Sequence, residues 1–175
     1  MFQECLTQNS EELKMKDKKT NVNTNIDYYI FIDYSDDLIG YNIIEKEKVS
    51  LLLEKISKFG HYKKERHKGT YLIKIKKIIK KTEIANLLCK QRIRRLKDNI
   101  LIFLEVLEFV GKHDNCAIFL SVDNNQFDAF SRLMAIVPHK KHVTIVKESE
   151  LKKGSVEYKL SPIIDNMLVI ERLSK

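Results

Sequence analysis

Hydrophobic positions along this chain fall into runs of two kinds, continuous and periodic. The continuous runs come first. Tyr28-Tyr29-Ile30-Phe31-Ile32 leads straight into Asp33-Tyr34-Ser35-Asp36-Asp37, and Ala117-Ile118-Phe119-Leu120-Ser121-Val122 leads into Asp123. A strand that is apolar on both faces belongs in the interior of a covered sheet, so Asp27–Tyr34 and Asn115–Asp123 are predicted to be buried strands. Tyr41–Ile44 is expected to return as a hairpin after the turn chemistry of Ser35 to Gly40.

Periodic runs mark the helices. Val49, Leu52, Leu53, Ile56 and Phe59 predict an amphipathic helix over Glu47–Lys58, ended by Gly60. Tyr71-Leu72-Ile73-Lys74-Ile75-Lys76 alternates at period two and predicts a half-exposed edge strand. Thr82 is expected to cap a helix carrying Ile84, Leu87, Leu88 and Leu96 on one side. Ile100–Val110 is apolar nearly all round, which fits a buried helix or a subunit contact, and periodicity alone does not exclude a strand. Phe127, Phe130, Leu133, Met134 and Val137 predict a helix stopped by Pro138, after which His139-Lys140-Lys141-His142 makes a basic turn. Val143–Val146 then reads as a short strand, followed by a lysine-bearing loop to Leu160. Ser161-Pro162 is a helix start, with Ser at the cap and Pro in the first turn. The order is β-β-(α)-β-α-β-α-β-α, an α/β pattern in one domain over 26–175, with residues 1–25 a polar, flexible tail.

Charge changes the picture of partners. The 175 residues carry 32 Lys and Arg against 24 Asp and Glu, a net charge of +8. A basic surface favours polyanions, nucleic acid first, although lysine enrichment by itself also has compositional explanations. Lys90, Arg92, Arg94, Arg95 and Lys97 crowd together without an intervening acid, either as a solvated helix face or as a phosphate-binding one. The loop Gly60–Gly69 carries Lys63, Lys64, Arg66, His61 and His67. Its histidines lack a second ligand pair for zinc and suit solvent or phosphate contact better. Cys5, Cys89 and Cys116 have neither metal-ligand nor redox spacing and read as reduced, mostly buried thiols. With no apolar run of membrane-spanning length and a polar start, a cytoplasmic protein away from membranes is expected.

The acids are the candidate chemistry. Asp33 and Asp123 follow buried strands and Asp165 lies just inside the final helix. Each has a simple local role, capping a turn or meeting a helix dipole. Together, acids from two strand ends and a helix can converge on a divalent cation.

That order and those acids resemble the ribonuclease H-like superfamily, with the DUF3800 family as the nearest likeness. Its opening "IDESGD"-like turn has its counterpart in Ile32-Asp33-Tyr34-Ser35-Asp36-Asp37, with Tyr34 in place of the Glu and Asp36 in place of the Gly. The closing strand, acid–Ser pair and Asp-bearing helix correspond to Val143–Val146, Glu148-Ser149 and Asp165. The resemblance implies a mixed sheet of about five strands with helices on both faces. It also implies phosphodiester hydrolysis by a divalent-metal-dependent nuclease. Asp33, Asp123 and Asp165 would be the catalytic carboxylates holding Mg²⁺ or Mn²⁺, with Glu148 or Asp36 as a fourth ligand. Nucleic acid would be held by Lys63, Lys64, Arg66, Arg92, Arg94 and Arg95. Two further expectations stand beside it: an inactive nucleic-acid-binding protein of the same fold, and a homo-oligomer formed through Ile100–Val110.

Overall fold

A computed structural model describes residues 25–136, 138 and 142–174. The expected N-terminal tail, Cys5 and most of the basic turn at His139–Lys141 lie outside the described residues. The architecture is α/β. Five strands, β1 (Tyr28–Ser35), β2 (Leu38–Glu45), β3 (Lys90–Arg95), β4 (Cys116–Ser121) and β5 (Thr144–Lys147), form one sheet in the order β3-β2-β1-β4-β5. β1 pairs antiparallel with β2 and parallel with β4; β2–β3 is antiparallel and β4–β5 parallel. The most apolar strands therefore occupy the centre, as expected for strands covered on both faces.

Alternation along β1 divides the core in two. Phe31, with Ala117 and Phe119 of β4, faces a layer that includes α1 (Val49–Lys55) and α7 (Pro162–Arg172). Ile30 and Ile32 face the other layer, made by α4 (Asn99–Lys112) and α5 (Asn124–Ile136). The apolar side of α4 is spent on this chain's own sheet: Ile102, Phe103, Val106, Leu107 and Val110 are buried, while Ile100, Leu101 and Leu104 stay exposed. Asp33 shares the parity of Phe31, so its side chain points toward the α7 layer.

Two elements differ from the sequence expectation. Residues 71–76 are not a strand but part of helix α2 (Lys68–Thr82). Tyr71, Leu72 and Ile75 are buried, Ile78 and Ile79 pack against the core on the α7 side of the sheet, and Ile73 is 72% exposed. The local alternation is therefore one portion of a longer 3.6-residue stripe. Thr82 ends this helix rather than starting the next: its hydroxyl donates to the Ile78 carbonyl at 2.7 Å, and Glu83 turns into the left-handed region at φ 49°.

The arginine-rich segment is likewise not a helix. After the single turn α3 (Ile84–Leu87), Lys90–Arg95 forms edge strand β3. Its residues are good helix formers, but the backbone is held by a six-residue ladder against β2, and Ile93 anchors it to the core. Tertiary pairing overrides propensity here. Two smaller corrections concern the thiols and the loop before α7. Cys89 is exposed, whereas Cys116 is buried and its thiol is pushed up to about 12 by that burial. Helix α6 (Val156–Leu160), capped by Ser155 accepting from the Tyr158 amide at 3.2 Å, stands where a loop was expected. No helix among the described residues is long and apolar enough to cross a membrane.

Candidate functional site: a carboxylate cleft at the end of the central strands

Parallel pairing of β1 and β4 puts Asp33 beside Ser121, and the Ser121 hydroxyl donates to the Asp33 carboxylate. The Tyr34 amide donates to Asp33 Oδ1 at 2.7 Å. On the other side of Asp33, β2 contributes Gly40 in direct register. A Cβ at Gly40 would lie 3.3 Å from Cδ1 of Ile164, so the missing side chain lets α7 settle closely onto the sheet. Asp165, the next residue of α7, is thereby carried to Asp33.

Both acids are buried, 8% exposed for Asp33 and 7% for Asp165. Burial, then the charges of Asp165 and Glu148, raise the Asp33 carboxyl well above the ordinary carboxylate range, and the Tyr34 and Ser121 hydrogen bonds only partly oppose this. Burial also raises Asp165, against the Tyr62 hydrogen bond and the His61 charge. Like charges crowded in a poorly solvated place favour proton or cation uptake.

Glu148 follows β5 in a single 3-10 turn and joins the same cleft. Between Glu148 and Asp165 stands His61, with Nε2 3.7 Å from Glu148 Oε1 and Nδ1 3.8 Å from Asp165 Oδ2. The sequence set His61 among solvated or phosphate-contacting loop residues and assigned it no place beside the acids. Its only local signal was the glycine before it. The loop is tied down by Tyr71, whose hydroxyl accepts from the Gly60 amide at 2.8 Å and donates to the Gly60 carbonyl at 2.7 Å. Asn166 Nδ2 donates to the same carbonyl at 3.0 Å. So fixed, the loop turns the Tyr62 amide onto Asp165 Oδ2 at 2.9 Å.

The cleft has a volume of about 520 Å³. Asp33, Asp165, Glu148, Asp123, Lys63, Lys64 and Lys147 all line it, as do Tyr34 and Tyr158. Asp123 is at its rim, where Oδ1 caps α5 by accepting from the Gln126 amide at 2.8 Å. The lysines are held over rings: Lys63 Nζ lies 5.9 Å from the Tyr34 centroid and Lys64 Nζ 5.6 Å from that of Tyr158.

The remaining predicted residues are elsewhere. Asp36 sits in the β1–β2 turn at φ 52°, a conformation glycine adopts more easily, and pairs with Arg172. Arg92 and Arg94 on β3 both pair with Glu105, Arg94 at 2.7 Å, and Arg95 pairs with Asp37. Arg66 is exposed and does not line the cleft.

As a cation site, the donors are carboxylate oxygens, the type a hard divalent ion prefers, and their mutual repulsion would be relieved by one. Among the described residues, no three His, Cys, Asp or Glu side chains already meet around one ion-sized point. The donor chemistry fits such an ion. No protein-family model matches this chain, and no curated protein matches it either.

Proposed function

We propose that this protein is a divalent-metal-dependent nuclease of ribonuclease H-like fold, with Asp33, Asp165 and Glu148 as the metal-holding carboxylates and Asp123 at the margin. The observation that carries the reading is the pair Asp33 and Asp165, two buried acids that line one open cleft and are each raised by burial, Asp33 also by the charge of Asp165. A folded protein gains nothing in stability from such an arrangement, and strained charge of this kind clusters at functional sites. The strand order β3-β2-β1-β4-β5, with one acid ending the central strand and another on the last helix, supports the fold assignment.

Mg²⁺ or Mn²⁺, when bound, would supply a water nucleophile at neutral pH and charge stabilisation for the leaving oxygen. The chain's own residues do the rest. Tyr62 and Tyr34 amides orient the two buried carboxylates. Lys63 and Lys64 attract the phosphodiester backbone at the mouth. His61 spans the gap between Asp165 and Glu148 and offsets their charge when protonated.

One observation favours a second reading, a nucleic-acid-binding protein of the same fold without catalysis: among the described residues no ready-made three-ligand group exists. Self-association through α4 would have to use its exposed Ile100, Leu101 and Leu104.

A thermal-melt titration with Mn²⁺ separates these readings. A ion that binds only the folded state raises the melting temperature as its concentration rises. The rise is expected in the wild type and in Asp36→Asn, and is expected to vanish in Asp33→Asn and Asp165→Asn. No shift in the wild type at millimolar metal would end the nuclease reading. Salt-dependent nucleic-acid binding without cleavage would then support the second one.

A further inference from the structure

Beside the carboxylate cleft lies a second recess of about 470 Å³, between the end of α1 and the start of α7. Its floor is apolar, from Ile56, Phe59 and Pro162, and its rim carries Lys64 and Glu65. The two cavities share a wall: His61, Lys64 and Tyr158 line both. Within that wall the His61 and Tyr158 rings stand 5.6 Å apart at 59°. Lys64 Nζ lies above the Tyr158 ring and 3.4 Å from its hydroxyl, with the ammonium at the crossing from one cavity to the other.

We propose that this recess holds an unstacked nucleobase of a single-stranded nucleic acid, next to the phosphodiester that lies over the carboxylate cleft. The inference deepens the nucleic-acid reading above and rests on it. A phosphodiester and its own base are joined by one sugar, so a ligand anchored in one cavity presents its flat group to the adjoining one. The recess offers what a base needs: an apolar floor, an aromatic face to stack on, and a carboxylate, Glu65, that accepts from amino or imino groups on a base edge. Its volume lies in the range of small-molecule pockets and exceeds that of a base alone, leaving room for the sugar. Lys64 is set on the shared wall, where the intervening phosphate would pass. A duplex keeps its bases stacked and paired and would have to flip one out to fill the site. A single strand presents a base without that penalty, and it is the substrate class this geometry selects.

The test is fluorescence anisotropy in EDTA, so that no cleavage occurs, with labelled oligothymidylate and oligouridylate and their abasic counterparts. Wild type is compared with Tyr158→Ala, which removes the stacking face, and with Ser57→Trp, which fills the recess from an exposed position on its lining. Circular dichroism melts first establish that both variants are folded. Wild type is expected to bind a base-bearing strand about 5- to 100-fold more tightly than the abasic one. Both variants are expected to lose that preference, and Ser57→Trp, which leaves Lys64 and the Tyr158 ring in place, is expected to bind the abasic strand as wild type does. Equal wild-type affinity for base-bearing and abasic strands, or no binding to either, overturns the inference. So does a preference that survives in both variants. The Mn²⁺ melt is read separately: a lost metal response with base preference intact would sink the nuclease reading and leave the base site standing.

Discussion

Gly40 stands across from Asp33 in the β1–β2 ladder, and a Cβ there would reach within 3.3 Å of Ile164, the residue that precedes Asp165. The absence of one side chain on β2 thus sets how closely α7, and with it the second acid, approaches the first. The same Cβ would also meet the Arg92 carbonyl at 2.8 Å and Ile93 Cγ1 at 2.9 Å. A backbone carbonyl in a strand ladder has little room to yield. Gly40→Ala is therefore expected to destabilise the fold by about 1–3 kcal/mol in urea denaturation. Weaker Mn²⁺ protection in the melt is expected to accompany it, because α7 must shift.

The paired acids give a pH signature of defined sign. Asp33 and Asp165 are both raised from the ordinary value of 3.8, by burial first. Between that value and their raised folded values, the native state binds more protons than the unfolded chain, so unfolding free energy falls as pH rises through the window. Their contribution is most favourable in acid and is lost above the folded values. Asp33→Asn removes the charge, so its melting temperature is expected to exceed that of the wild type at neutral pH and to converge with it in acid. The gap should be about 2–4 °C for each kcal/mol relieved. A variant less stable than wild type at neutral pH would show that the carboxylate is instead a net stabilising group.

Tyr71 is a support placed away from the cleft. Its hydroxyl satisfies both the amide and the carbonyl of Gly60, two residues before the amide that holds Asp165. Tyr71→Phe strands the Gly60 N–H and is expected to cost about 1–3 kcal/mol. Amide hydrogen exchange should report the local effect as faster exchange at Tyr62, because the loop loses its anchor.

Basic residues divide into two groups with opposite expected behaviour. Arg94 bonds Glu105 at 2.7 Å, and the buried Tyr41 donates to the same carboxylate at 2.8 Å. Burial raises Glu105, but the hydrogen bonds from Arg94 and Tyr41 and the nearby arginine charges outweigh it and hold the carboxyl below its ordinary value. Arg94→Ala is expected to lower the melting temperature only modestly, since the pair is partly exposed to solvent. It should leave the salt dependence of oligonucleotide binding unchanged. Lys63→Ala and Lys64→Ala should alter stability by no more than about 0.5 kcal/mol. Each is expected to reduce the slope of log affinity against log salt by about 0.7 for single strands, one phosphate contact apiece. Anisotropy titrations over a range of salt concentrations check both groups.

Local pattern was enough for the centre of the sheet. The runs ending at Asp33 and Asp123 are apolar on both faces, and only a covered position accommodates such strands, so β1 and β4 were legible from the chain alone. Ser161-Pro162 announced α7 for an equally local reason, the fixed φ of proline in a first turn, although the Ser161 hydroxyl donates to the Tyr158 carbonyl instead of capping. What the chain did not disclose depends on distance through space. Alternation over residues 71–76 fits a strand or one side of a helix equally, and only the packing of Tyr71, Leu72 and Ile75 against the core decides. Residues 90–95 favour a helix by propensity and become a strand because the open edge of β2 offers them a ladder. The site follows the same division. That acids end the strands is written in the order of residues. That Asp165 shares one cleft with Asp33, that His61 stands between Asp165 and Glu148, and that Asp36 turns away to Arg172 depends on how closely α7 and the Gly60 loop settle on the sheet, and packing alone sets that approach.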